Sequence, residues 1–185
     1  MDMAGKISTR GMSYAAMFGA MTALGAYIII PFPLVPITLQ TFVMYLAASL
    51  LGGHLGALSQ IVYILLGIIG LPVFAGGKAG LGVLIGPTGG YLIGFIIGAY
   101  IIGKMMESRK HSGYVWIALS LILATVVIYT CGVVQLLVVA QLSLQKAITV
   151  GVLPFLIGDA IKIAAAILLI TKIKSRIQIK KVSND

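Results

Sequence analysis

Asp159 and Lys162 lie three residues apart inside a long apolar run, residues 150–170, which holds no other acid or base. On a helix this spacing advances about 4.5 Å and leaves both side chains on one face. An ionised group at the centre of a membrane helix costs about 2.5–3.5 kcal/mol on the insertion scale. An acid and a base placed there together do one of two things. They neutralise each other as a packing element, or they present an acceptor and a cation to one polar ligand.

Catalytic and metal chemistry find less support. Cys131 is the only cysteine, so neither an internal disulfide nor a cysteine metal cluster can form. His54 and His111 are far apart, and the four acids are Asp2, Glu107, Asp159 and Asp185, so clustered metal ligands are lacking. The apolar segments give Asp159 no second acid and no Ser–Lys or Ser–His pair, which disfavours an intramembrane enzyme. Gly86-Pro-Thr-Gly-Gly-Tyr-Leu-Ile-Gly94 is not a phosphate loop, because the basic residue and spacing of that motif are missing. Neither a catalytic residue nor a bound cofactor is expected.

These residues need elements to hold them, and the composition says in what solvent. Hydrophobic residues make up 60% of the 185 and charged residues 9%, with a mean hydropathy of +1.13. Soluble domains run near 25% charged. The chain therefore reads as an all-α integral membrane protein, residues 1–185 forming one transmembrane domain with a basic tail from about 172 to 185. Six apolar stretches are expected as helices, at about 11–30, 39–51, 55–69, 84–105, 114–139 and 148–171. The second and third are short enough to dip as a hairpin. The first is long enough to span and has no clear cleavage site.

The net charge of +9 follows the topology rather than a nucleic-acid face. Lys6, Arg10, Lys104, Arg109, Lys110, Lys172, Lys174, Arg176, Lys180 and Lys181 all fall at one end if six helices cross with both termini cytoplasmic. Only Lys78 and Lys146 are left for the outer loops. This is a strong positive-inside bias.

With that orientation the unusual sequence lies outside. The outer connections are 31–38, 71–83 and 140–146, and the middle one is glycine-rich yet apolar. Irregular backbone at membrane depth survives only when buried in protein or lining a cavity. Phe74 and Lys78 either close over a pocket or belong to a loop packed for stability. Thr88 and Tyr91 offer hydroxyls near the outer surface, Tyr91 alternatively as an interfacial anchor, while Thr38 and Gln40 stand at the start of the second helix and alternatively cap it. On the first helix Ala15, Gly19 and Ala23, and next to them Ala16 and Ala20, recur every fourth residue, a spacing that lets helices approach closely.

Four ordered blocks now carry a resemblance. Val35-Pro-Ile-Thr-Leu-Gln-Thr-Phe42, Gly70-Leu-Pro-Val-Phe-Ala-Gly-Gly77, Gly86-Pro-Thr-Gly-Gly-Tyr-Leu-Ile-Gly-Phe95 and Pro154-Phe-Leu-Ile-Gly-Asp-Ala-Ile-Lys162 resemble the signature blocks of the BioY family, the biotin-specific S components of energy-coupling factor (ECF) transporters. The resemblance implies a six-helix S-component bundle in a prokaryotic cell membrane, with biotin bound near the outer face. It also implies a transmembrane coupling subunit and two cytosolic ATPases as partners. Ala16-Met-Phe-Gly-Ala20, with Ala15 and Gly19 beside it, then looks like the surface that meets the coupling subunit.

Biotin gives the polar residues expected roles. An ionised carboxylate only accepts, so Asp159 suits the two ureido N–H groups, in bonds worth about 1.5–3 kcal/mol each. Lys162 holds Asp159 ionised or donates to the ligand. Lys78 is the expected partner of the biotin carboxylate. Thr38, Gln40, Tyr91 and Thr88 surround the mouth, and Phe74 covers the bicyclic ring.

Overall fold

The computed structural model describes residues 8–32, 34–109 and 113–182, with side chains as far as residue 175. Asp2, Lys6, Lys110, His111 and Asp185 lie outside the described residues, and the side chains of Arg176, Lys180 and Lys181 likewise. Among the described residues eight α-helices form: α1 Thr9–Tyr27, α2 Gln40–Leu51, α3 Gly53–Ile68, α4 Leu81–Ile85, α5 Gly89–Glu107, α6 Tyr114–Val139, α7 Leu144–Gly151 and α8 Leu156–Val182. Two-residue strands β1 Ile29–Ile30 and β2 Ile37–Thr38 pair antiparallel between α1 and α2.

The long helices are apolar inside and out. Ile102, Leu121, Ile128 and Ile170 are buried, while Ile97, Leu123, Ile161 and Leu168 are exposed on the same elements. A helix with no polar face is suited to lipid rather than water. Helix α5, helix α6 and the stretch 144–175 are long and apolar enough to cross a membrane; α2 and α3 are shorter apolar helices.

Three boundaries differ from the sequence expectation, each for a local reason. The first helix stops at Tyr27, because the strand pair takes up the following residues and the Leu39 N–H reaches back to the Gly25 carbonyl. The fourth is cut in two at Gly86-Pro87, leaving α4 as a separate turn before α5. The sixth breaks at Pro154, which lies in a 3₁₀ turn, Leu153–Phe155, between α7 and α8. Proline is accepted in a first turn but not in a helix interior. That break has a functional consequence, since it puts Asp159 in the first turn of α8 rather than in mid-helix.

Helices α5 and α6 form the closest seam. A Cβ at Gly94 would lie 2.8 Å from the Ile128 Cα, and one at Gly90 would lie 2.2 Å from the Cys131 carbonyl oxygen. Only glycine lets the two backbones meet there. At one end of the bundle Glu107 Oε1 accepts from the Gly53 N–H at 2.8 Å, and Lys104 pairs with Glu107 Oε2 at 3.0 Å. Glu107 therefore caps α3 instead of sitting in a polar loop. The β1–β2 pair, the 70–88 loop and α7 gather around the site at the other end.

The seam generates a stability test. Gly94→Val should destabilise the protein by about 2 kcal/mol or more through overpacking, read as a lowered thermal midpoint in detergent. Gly82→Ala, whose Cβ would meet nothing within 4 Å, should leave the midpoint unchanged.

Candidate functional site

One cavity opens between the 35–38 and 74–88 stretches and the helices α2, α5, α6 and α8. Its lining brings together Asp159, Lys162, Lys78, Tyr91, Gln40, Thr38, Phe74 and Thr88, the residues singled out from sequence as a ligand site. Val35, Val83, Leu92, Phe95, Ile128 and Phe155 supply apolar wall between them. A largely apolar pocket with few converging polar groups suits a small organic ligand.

The polar end is built on α8. Asp159 and Lys162 are 5% and 9% exposed, so the pair is buried. Lys162 Nζ lies 2.8 Å from Asp159 Oδ1, as three-residue spacing on a helix allows. The position of Asp159 in the first turn adds the favourable field of the helix N-terminus. Two further side chains complete the cluster. Tyr129 on α6 donates its hydroxyl to Asp159 Oδ2 at 2.5 Å, and Lys162 Nζ donates to Thr41 Oγ1 on α2 at 3.1 Å. Three helices thus converge on one ion pair.

Neither Tyr129 nor Thr41 was marked by the sequence reading. Thr41 sits inside the block 35–42 beside Gln40, and a threonine at a helix start is unremarkable in type. Tyr129 has only a weak signal, a phenol amid Val, Ile and Leu with Thr125 one turn before it. Neither spacing says that these residues face α8.

The remaining site residues differ in how free they are. Tyr91 is buried and donates its hydroxyl to the Gly151 carbonyl at 2.7 Å, so it contributes its ring to the wall instead of a free hydroxyl at the surface. Gln40 is also engaged: its Oε1 accepts from Thr38 Oγ1 at 2.8 Å, and its Nε2 donates to the Tyr63 hydroxyl. Thr38 Oγ1 accepts from the Gln40 N–H at 3.3 Å, a weak helix cap made from within the cavity lining. Thr88 flanks α5 without a side-chain cap. Phe74 is held by a small hairpin in which its N–H donates to the Lys78 carbonyl at 3.0 Å. Its ring packs over Gly67, where any Cβ would collide with it, and against Tyr63 edge-on at 5.6 Å. The same hairpin leaves Lys78 exposed at the mouth.

The small residues of α1 divide between two faces. Ala15 and Gly19 are buried, and a Cβ at Gly19 would lie 2.9 Å from the Ser59 carbonyl oxygen of α3. These two pack inside the chain, which corrects their expected place on an outer interface. Ala16 and Ala20 are exposed, with Met12, Met17, Met21 and Leu24 around them. Among the described residues, no three His, Cys, Asp or Glu side chains are grouped to hold a metal ion.

Comparison with known proteins places this arrangement. The family model described as the BioY family matches residues 2–179. A Thermotoga maritima protein named biotin transporter BioY is 43% identical over 89% of this chain and 96% of its own length. A Pyrococcus horikoshii protein named probable biotin transporter BioY is 36% identical over 91% of this chain and 98% of its own. A crystal structure titled as the S-component for biotin from an ECF-type ABC transporter superposes with a TM-score of 0.83, at 24% identity, covering 94% of this chain and 95% of that one. The fold is therefore that of an S component.

The buried pair carries a prediction of its own. Removing one partner of such a pair costs about 3–5 kcal/mol, whereas replacing both with apolar residues often costs little. Lys162→Met should lower the thermal midpoint of the ligand-free protein markedly, and Asp159→Leu with Lys162→Met should restore most of the loss.

Proposed function

The chain belongs to the BioY family, and from that premise we propose that it is the biotin-binding subunit of an ATP-driven ECF-type uptake transporter. It is a transport component and not an enzyme. The observation that carries the reading is the cavity itself: an apolar pocket with a buried acceptor–donor pair at its inner end and a lysine at its mouth. Biotin has the matching order of groups, a polar ureido ring, an apolar thiophane ring and a terminal carboxylate. Asp159 and Lys162 take the ureido group, Phe74 and the neighbouring apolar wall cover the thiophane, and Lys78 meets the carboxylate.

Six helices, α1, α2, α3, α5, α6 and α8, cross the bilayer, with both termini cytoplasmic. Arg10, Lys104, Arg109, Lys172 and Lys174 support this orientation, standing at the opposite end from the cavity, where Lys78 and Lys146 are the bases besides the buried Lys162. The site then faces outward. Biotin enters from outside, the 70–80 loop closes over it, and the bundle reorients against a transmembrane coupling subunit. Two cytosolic ATPases supply the energy, since the chain has no nucleotide-binding motif of its own. Ala16 and Ala20 form the centre of the docking face, supported by their exposure in an apolar surround.

Calorimetric titration of biotin into the purified protein, stripped of ligand, should give nanomolar binding at one site per chain; a folded protein that binds no biotin would overturn the reading. Asp159→Asn should weaken binding by about tenfold or more, the value of a charge-assisted hydrogen bond. Ala16→Trp with Ala20→Trp should abolish uptake in cells carrying the partner subunits and leave biotin affinity unchanged. Lost affinity in that double variant would remove the docking role.

A further inference from the structure

The two oxygens of Asp159 have different neighbours. Oδ2 accepts from the Tyr129 hydroxyl at 2.5 Å, whereas Oδ1 lies 2.8 Å from Lys162 Nζ. Lys162 Nζ is held from a second side by Thr41 Oγ1 at 3.1 Å. These four side chains all line the cavity. An ammonium has three donors, so two are used within the protein and a third is left for a ligand.

We propose that Tyr129 is a positioning residue: it ties up one carboxylate oxygen of Asp159, so that Oδ1 and Lys162 Nζ act as an adjacent acceptor and donor reading a single H–N–C=O edge of the ligand. The inference rests on the biotin reading above. The N and O of such an edge are about 2.3 Å apart, and two hydrogen bonds of about 2.9 Å that diverge slightly from it leave their protein atoms just under ~3 Å apart. The Oδ1 to Nζ separation of 2.8 Å fits that spacing. In a five-membered cyclic urea the two N–H bonds flank the carbonyl and diverge. One carboxylate therefore reaches one of them, and Asp159 takes a single ureido N–H rather than both. The hydroxyl of Tyr129 fixes the plane of the carboxylate, so that the same nitrogen is read each time. The site thus distinguishes the two ureido nitrogens of biotin, which are inequivalent once the valerate chain is pointed toward Lys78.

The test uses biotin and its two mono-N-methyl ureido regioisomers, titrated calorimetrically into the full-length wild-type and Tyr129→Phe proteins in detergent. In the wild type the regioisomers should differ in affinity by about tenfold or more, because methylation of the read nitrogen removes a buried donor and sets a methyl against Oδ1. In Tyr129→Phe, biotin affinity should fall by about five- to tenfold, and the difference between the regioisomers should shrink to below about threefold as the carboxylate turns freely. A purely structural tyrosine would lower all three affinities by one common factor and leave the ratio intact, which overturns the proposal. Equal affinities for the regioisomers in the wild type overturn it as well, whether or not the variant folds. Failure of Tyr129→Phe to fold would make the hydroxyl a structural group and remove its positioning role. A folded wild-type protein that binds no biotin overturns the biotin reading, and the edge assignment with it.

Discussion

The ion pair between Asp159 and Lys162 is the interaction on which the rest of the site depends. A carboxylate and an ammonium this deep in an apolar bundle persist only when each finds a partner and further hydrogen bonds. The structure supplies both conditions. The pair meets at 2.8 Å, Tyr129 takes the other carboxylate oxygen, and Thr41 takes a second ammonium proton. Since these partners come from α6 and α2, the pair also ties three helices together at the inner end of the cavity. The packing of three helices and the polar lining of the cavity therefore draw on the same atoms.

A second constraint is the close contact of helices. Lipid offers little hydrophobic drive for helices to associate, so packing must come from close approach. Glycines on α5 bring its backbone onto α6, and Gly19 does the same between α1 and α3. The α5–α6 seam sets the distance from Tyr91 and Phe95 to Ile128 and Tyr129, which form facing parts of the cavity wall. Tyr91 is fixed further by its bond to the Gly151 carbonyl, linking the wall to α7. The cavity owes its shape to residues that never face it.

The loops at the cavity end complete the arrangement with modest means. A strand pair of two residues each and a hairpin closed by Phe74 and Lys78 place Thr38, Phe74 and Lys78 around one opening. Tyr27, the last residue of α1, donates its hydroxyl to the Pro72 carbonyl of the same loop. Helix α1 thus touches the loop that covers the site while presenting Ala16 and Ala20 outward on another face. The cavity and the exposed Ala16–Ala20 face occupy separate surfaces of one small bundle.

By itself the sequence determined the solvent, the class and most of the polar residues that line the cavity. Its apolar fraction and one-ended basic residues require a helical membrane protein, because lipid tolerates little else. Asp159 and Lys162 were conspicuous because charge is rare where burial is expensive, Lys78 and Phe74 stood in an irregular apolar stretch, and Thr38 and Gln40 stood at a helix start. Tertiary structure decided what one-dimensional spacing cannot express. Four-residue spacing puts Ala15 with Gly19 and Ala16 with Ala20, but the two pairs differ by one residue, about 100° around the helix; only packing against α3 says which pair is buried. Pro154 was visible, yet only the structure shows the helix ending before it and restarting at Leu156, which places Asp159 in a first turn. Tyr129 and Thr41 escaped notice because a hydroxyl on an apolar helix acquires its meaning from the charge brought opposite it by another helix.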